Sequence, residues 1–163
     1  MTERARPPFA ADERTTLNAY LDFQRATSLM KVEGVTDEQA RWSPVPSGTS
    51  LLGLVRHLTY VERWWFAYLL GGIDDHVPWL ADDGDDGFRV PPETTLTDVV
   101  AAYETECARS RAVFASVSLD HLTREPAPGR SARRVAVHMV EETARHVGHA
   151  DLIRELVDGQ VGE

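Results

Sequence analysis

The sequence predicts an all-α protein, a four-helix bundle with a long connection between its second and third helices. Three observations predict this class: four segments have helical length and apolar spacing, turn-rich stretches separate them, and no segment alternates apolar and polar residues like a half-buried strand. Helices of about 20 residues joined by three connections are typical of bundles. At 163 residues the chain has the length of one domain, so we expect a single bundle domain over residues 1–163.

The first two helices are recognised by their apolar residues and their ends. The first is expected from about Asp12 to Glu33. The second follows Ser50, a suitable N-cap, and stops at Gly71. Its apolar residues have the i, i+3, i+4, i+7 spacing of a buried helix face. This stripe consists of Leu51, Leu54, Leu58, Val61 and Trp65.

The third and fourth helices have clear start and stop signals. The third begins at Thr95, which forms a capping box with Asp98, and continues to about Ser118. The fourth runs from near Ser131 to about residue 158 and stops at Gly159. Apolar residues predict the side of the fourth helix that faces the core. They are Val135, Met139, Leu152 and Leu156.

Stretches rich in glycine, proline and acidic residues connect the helices and cannot continue them. They are SPVPSG (43–48), DDGDDG (82–87) and REPAPG (124–129). The connection over residues 71–94 is long, and it is either a crossover or an extended loop over one end of the bundle. Residues 82–93 match part of a calcium-binding loop, but Gly84 and Arg89 depart from the pattern, so we expect a solvated acidic loop.

Charge and composition argue against several functions. A net charge of −9 argues against nucleic acid as a partner, because phosphate binding needs a concentrated basic surface. We expect a cytoplasmic protein without membrane contact, since the sequence shows neither a membrane-spanning apolar run nor a secretory signal. The single cysteine, Cys107, suits a reducing compartment, and we expect it to be a buried small residue rather than a nucleophile.

Three of the six histidines lie in the fourth helix and share a face with a glutamate. At 100° per residue, His138, Glu142, His146 and His149 fall within a sector of roughly 80°. This polar ridge borders the predicted apolar side of the helix. The two remaining loop histidines, His76 and His121, are expected at the surface, and the sixth, His57, lies in the apolar second helix.

The spacing of these residues predicts a metal site. Glu142 and His146 are one helical turn apart, close enough to bind one ion, and His57 is the candidate third ligand from another helix. Three protein ligands leave one position open, as in catalytic sites. His149 is an alternative to Glu142 or a hydrogen-bond partner of a ligand. On spacing alone, a hydrogen-bonded core His57 and a solvated histidine face remain alternatives.

The donor types suit a divalent transition metal. Two imidazoles and a carboxylate bind zinc, the metal we expect, and also nickel, cobalt or iron.

Two stretches carry a resemblance to a known family. They are GLVRHLTYVERWWF (53–66) and HMVEETARHVGHADLIRE (138–155). Together they resemble the DinB/YfiT-like superfamily, in particular its uncharacterised members related to mycothiol S-transferases and mycothiol-dependent isomerases. The resemblance implies a four-helix bundle that binds a divalent metal through one histidine of the second helix and two residues one turn apart in the last. Those positions are His57, Glu142 and His146, with glutamate at the first position of the pair as in the isomerase branch.

The resemblance implies a function for the open metal position. We expect a metal-dependent S-transferase that binds a low-molecular-weight thiol such as mycothiol and transfers it to a small electrophile. Two alternatives stay open: a metal-dependent hydrolase, with His138 or His149 moving protons, and a non-catalytic metal-binding or stress-response bundle. Trp64, two turns beyond His57, is a candidate for the mouth of a substrate pocket. The resemblance and the apolar second helix also suggest a homodimer.

Overall fold

Five α-helices form the framework of the computed structural model, which describes residues 4–78, 87–125 and 128–162. They are α1 Glu13–Met30, α2 Asp37–Arg41, α3 Leu51–Glu62, α4 Leu96–Ser116 and α5 Ala132–Asp158. Within these ranges the only extended pairing is an isolated bridge between Leu122 and Ser131, so the all-α prediction is confirmed. Residues 82–86, where we expect a solvated acidic loop, lie outside the described residues, as do residues 126–127 of the last connection.

Side-chain caps begin the long helices where the sequence predicts them. The hydroxyls of Ser50 and Ser131 accept the backbone N–H three residues further on, at the starts of α3 and α5. Thr95 and Asp98 form the reciprocal bonds of the predicted capping box at the start of α4. Gly159 ends α5 with a φ of +78°, in the left-handed region that favours glycine.

The short helix α2 was not among the predicted elements. It begins with a second capping box, in which Thr36 and Gln39 exchange side-chain and backbone hydrogen bonds. Arg41, its last residue, donates to the backbone carbonyls of residues 90–94, including Pro91 at 2.9 Å. This helix therefore braces the connection that leads into α4.

The second half of the predicted second helix is a π-helix, Arg63–Leu70, that continues α3. The N–H of Gly71 donates to the carbonyl of Phe66, five residues earlier, at 2.8 Å. A π-helix places more residues in each turn, so side chains beyond Glu62 depart from the phase of α3. The buried ring of Phe66 packs edge-on against Phe114 of α4 with a centroid separation of 5.8 Å.

Two apolar clusters fill the bundle. The first joins α3, α4 and α5 through residues that include Leu51, Leu58, Tyr103 and Ile153. The second joins the π-helix to α1, α4 and α5 through residues that include Leu21, Phe66, Phe114 and Met139. Four members of the predicted stripe, Leu51, Leu54, Leu58 and Val61, are at most 5% exposed, as expected. The fifth, Trp65, lies in the π-helix and is only half-buried.

The core side of α5 differs from the predicted one in its second half. Val135 and Met139 are fully buried as predicted, but Leu152 and Leu156 are each 64% exposed, so their assignment to the core was wrong. Leu152 follows Met139 by 13 residues and is therefore about 140° away around the helix. Ile153 is only about 40° from Met139 and takes the core position.

A buried ion pair ties α1 to the end of α3. The guanidinium of Arg25 donates to both carboxylate oxygens of Glu62, at 2.7 and 2.6 Å. Both side chains are almost fully buried. Such a pair offsets its own desolvation only when the hydrogen bonds are well formed, and here it fixes the position of α1 against α3.

The long helices pack as a four-helix bundle. α1 lies mainly against α5, and α3 lies mainly against α4, while α3 and α5 meet along one edge. His57 and His146 face each other at this edge between α3 and α5. None of the described helices combines the length and apolarity that crossing a membrane requires.

Candidate metal centre

His57 lies one turn and a half into α3, beside buried core residues. Its neighbour Leu58 is 2% exposed, and the imidazole itself is only 13% exposed. The ring stacks on Phe88, with centroids 4.0 Å apart and planes within 10°. Phe88 belongs to the connection between the π-helix and α4, so this connection covers one side of His57.

Two glycines allow the connection to approach α3 so closely. A Cβ atom on Gly53 would lie 2.6 Å from the carbonyl oxygen of Phe88, a distance that no real side chain tolerates. Gly87 has a φ of +86°, and a Cβ there would touch the Cα and Nδ1 atoms of His57 at 3.4 Å. Gly53 therefore permits the close approach of the Phe88 backbone to α3, and Gly87 permits the left-handed conformation that precedes it.

Glu142 and His146 project from one face of α5. The neighbouring residues Met139 and Thr143 are fully buried and hold that part of the helix against the core. Because the pair is one turn apart, the Oε1 atom of Glu142 lies 3.0 Å from the Nε2 atom of His146. Their side chains are 24% and 10% exposed, so the pair opens partly to solvent.

The three predicted ligands come together in the structure. The Nε2 atom of His57 lies 3.8 Å from Oε1 of Glu142, and one donor atom from each of His57, Glu142 and His146 lies within 4.8 Å of the others. Donors that bind a tetrahedral zinc ion at about 2.0–2.1 Å are about 3.3 Å apart. The distances of 3.0 and 3.8 Å from Glu142 bracket that separation. The donor set therefore fits one divalent ion in both chemistry and size.

Burial favours the neutral form of His146. Desolvation lowers its pKa below the ordinary value of 6.5, and the nearby imidazole of His57 lowers it further, while the bond to Glu142 opposes the shift. A neutral imidazole is the form that binds metals, so the local electrostatics suit a ligand at neutral pH. The Nδ1 atom of His146 is buried and has no hydrogen-bond partner among the described residues, so the hydrogen bond that this ring makes to Glu142 uses its Nε2 atom.

The remaining histidines lie around or away from this centre. His149 is exposed, and its ring centroid lies 5.5 Å from that of His146. The group of side chains that could hold an ion contains Glu142 and not His149. His138 packs edge-on against Trp65 at 4.5 Å. His76 and His121 are exposed, as predicted.

The two tryptophans and the cysteine considered in the sequence analysis pack against other side chains. Trp64 stacks on Tyr68 at 4.7 Å, and Trp65 packs against the second apolar cluster. Cys107 is buried in α4, and burial raises the pKa of its thiol to about 12, with a further contribution from Glu62. The sequence prediction of an inert cysteine agrees with this environment.

Sequence reasoning missed Phe88 and the two glycines that position it. The only local signal was the end of the acidic stretch, where Gly87 precedes an aromatic residue. That Phe88 would stack on His57, 31 positions earlier in the chain, depends on the path of the long connection. Nothing in the spacing of nearby residues specifies that path.

The fold and the donor set place the chain among helical bundles with a mixed imidazole and carboxylate centre between two helices. Residues 16–159 match the family model described as Mycothiol-S-transferase, and the chain belongs to this family of DinB/YfiT-like proteins. The resemblance of the α3 and α5 motifs is thereby confirmed. Membership implies a metal-dependent function related to mycothiol.

Among solved structures, the chain is similar to a conserved protein from Enterococcus faecalis. The TM-score is 0.73, the sequence identity is 16%, and the match covers 93% of this chain and 100% of the other. At this identity the likeness shows the fold alone. No match was found among curated proteins.

Proposed function

We propose that this protein is a metal-dependent S-transferase that joins a low-molecular-weight thiol of the mycothiol type to a small electrophile. The observation that carries the proposal is the convergence of His57, Glu142 and His146 at separations that suit one ion. Three protein donors leave a position for an exogenous ligand, which this proposal assigns to the thiol. Zinc is the metal we expect, and nickel, cobalt and iron suit the same donors.

The chemistry that a bound divalent ion supplies is the deprotonation of a coordinating thiol near neutral pH. In the overall reaction the S–H bond of the thiol breaks and its sulfur forms a bond to the electrophilic carbon, which gives up a π bond in an addition or its bond to a leaving group in a substitution. The proton passes to the product or to solvent. With Glu142 as the one anionic ligand beside two imidazoles bound in their neutral form, a divalent ion held here would keep a net positive charge, which would favour a thiolate. The Phe88 ring covers one side of His57 and limits the approach of water there.

The first test measures metal content by inductively coupled plasma mass spectrometry on protein expressed without a histidine tag. Wild type and His57→Ala, His146→Ala and His121→Ala variants are compared. We expect near-stoichiometric divalent metal in wild type and in His121→Ala, whose exposed imidazole is a matched control, and loss of metal in the other two. Wild type that stays metal-free after reconstitution with zinc or nickel would overturn the proposal.

The second test measures conjugation by the metal-loaded protein. Mycothiol, or cysteine as a surrogate thiol, is offered with several electrophiles, and a parallel series omits the thiol. We expect thiol consumption above background that disappears in His57→Ala. Electrophile turnover that is equal with and without thiol would instead favour hydrolysis, and a metal-loaded protein inert in both series would favour a non-catalytic role.

A further inference from the structure

A polar cavity adjoins the candidate metal centre at Phe88. It has a volume of about 440 Å³, and its lining includes Arg41, Arg89, Thr49 and Ser50. Phe88 also lines it, and the same residue stacks on His57 at 4.0 Å. One aromatic residue therefore borders both the cavity and a proposed metal ligand.

The cavity is cationic within a chain of net charge −9. Among the described residues no acidic side chain lines it, and neither Arg41 nor Arg89 forms an ion pair with a described residue. The Nη1 group of Arg41 donates one hydrogen bond, and its Nη2 group donates three, to backbone carbonyls within residues 90–94. A guanidinium has five N–H donors, so its Nε–H and one Nη1–H are not used by these bonds.

The other walls supply neutral hydrogen-bonding groups. Ser47 and Thr49 line the cavity, with their hydroxyls hydrogen-bonded to each other at 3.0 Å, and Ser50 caps α3 there. α3 thus directs its N-terminus, the positive end of its dipole, towards the same space. Two guanidinium groups, hydroxyls and a helix N-terminus are a combination suited to an oxyanion.

We propose that this cavity binds an oxyanion, a carboxylate or a phosphate, carried by the electrophilic substrate. This inference rests on the proposed transferase function for the identity of the ligand, while the binding of an oxyanion is testable without it. An anionic group held between Arg41 and Arg89 would leave the rest of a small molecule to extend past Phe88 towards His57. Electrophiles with an acidic group are then preferred over neutral ones of the same reactivity.

Binding is tested directly on the zinc-loaded protein by ¹H–¹⁵N correlation spectra during titration with inorganic phosphate and, in a separate arm, with succinate. We expect shifts at the amides of residues 47–50 and of Arg89, with affinity lowered about tenfold in Arg89→Gln and by rising salt. Arg134→Gln, which removes an exposed arginine from the first turn of α5, should bind as wild type does. Shifts confined to the surroundings of His57, or affinity equal in Arg89→Gln and wild type, would overturn the inference.

The link to the substrate is tested by comparing two maleimides in the thiol conjugation assay. For 3-maleimidopropionate, kcat/KM should fall about tenfold in Arg89→Gln and recover in part in Arg89→Lys. For neutral N-ethylmaleimide, kcat/KM should not change. An equal loss for both electrophiles would refute the assignment of this cavity to the substrate. If no conjugation occurs at all, the transferase proposal fails, and the titrations still decide whether the cavity binds an oxyanion.

Discussion

Glu142 carries the only negative charge among the three candidate ligands, and its Oε1 atom lies near both imidazoles. This position makes the carboxylate a point of contact between α3 and α5. If it binds the ion, its charge is as important as its shape.

Replacing Glu142 with glutamine retains the shape of the side chain and removes its charge. We expect zinc affinity to fall by about tenfold or more, measured by competition with a chromogenic chelator. Glu141→Gln is the matched control, because Glu141 is the preceding residue of α5 and is exposed. Equal affinities in the two variants would show that Glu142 is not a ligand.

Cys107 is a residue whose reactivity follows from burial. Its raised pKa, about 12, leaves a thiolate fraction at pH 8 roughly a thousandfold below that of an unfolded chain. We therefore expect the native protein to react with Ellman's reagent far more slowly than the urea-unfolded protein. Cys107→Ser should keep its metal, and rapid modification of the folded wild type would contradict the buried assignment.

The same shift has a consequence for stability at alkaline pH. The folded thiol stays protonated up to about pH 12, whereas the unfolded thiol ionises near its ordinary value. Unfolding is therefore favoured progressively as the pH rises above about 8.5.

At the scale of elements, the contact between α3 and the connection depends on Gly53. Alanine is normally favoured over glycine inside a helix by about 1 kcal/mol. At Gly53 a Cβ would meet the carbonyl oxygen of Phe88 at 2.6 Å, whereas at Gly148 of α5 it would meet nothing within 4 Å. The two glycines therefore form a matched pair.

We expect Gly148→Ala to raise the free energy of unfolding by up to about 1 kcal/mol and Gly53→Ala to lower it by about 1–3 kcal/mol. Urea denaturation of the two variants and the wild type measures both changes. A stabilised Gly53→Ala variant would mean that the connection does not lie where the structure places it.

The long helices, whose ends local chemistry specifies, were predicted from the sequence, whereas α2 was missed although it begins with a capping box of its own. Ser50, the Thr95–Asp98 box and Gly159 mark helix ends through side chains close in sequence to the backbone groups they satisfy or the turn they permit. The π-helix was not predicted, because its hydrogen-bond spacing depends on how Phe66 and its neighbours pack against α4. Leu152 was assigned to the core from its apolar character, without regard to its phase relative to Met139.

The candidate site likewise contains residues that the sequence identifies and residues that only the structure reveals. His57, Glu142 and His146 were identified because each has a helical position that spacing or resemblance specifies. Phe88 and the cavity lined by Arg41 and Arg89 depend on the three-dimensional path of a connection, and short-range spacing carries no information about that path. The sequence therefore predicted which side chains come together as candidate ligands, while the residues around them required the structure.

For the whole molecule, an ion at this position would join α3 to α5, two helices that meet along only one edge. A ligand that binds only the folded state stabilises it by mass action, by about 2.7 kcal/mol at one hundred times its dissociation constant.

We expect zinc at that concentration to raise the melting temperature of the chelator-treated protein by about 5–10 °C, measured by differential scanning calorimetry. The His121→Ala variant should show the same rise and His57→Ala none. An equal rise in all three proteins would place the stabilising ion elsewhere.

The single domain over residues 1–163, the homodimer and the cytoplasmic location stay predictions. Calorimetry addresses the first, since one domain should unfold in one transition. Light scattering after size-exclusion chromatography addresses the second.

Because the candidate ligands lie on helices and the residues beside them lie on a connection, the two can be changed separately by protein engineering. The three candidate ligands are held by helices that begin at their own N-caps, Ser50 and Ser131, whereas Phe88 and Arg89 belong to the connection between the π-helix and α4. Exchanging that connection for one of another length or composition would change the cavity beside the candidate ligands and leave those ligands on their helices. Redesign towards a different electrophile should therefore begin with loop grafting and leave the scaffold intact.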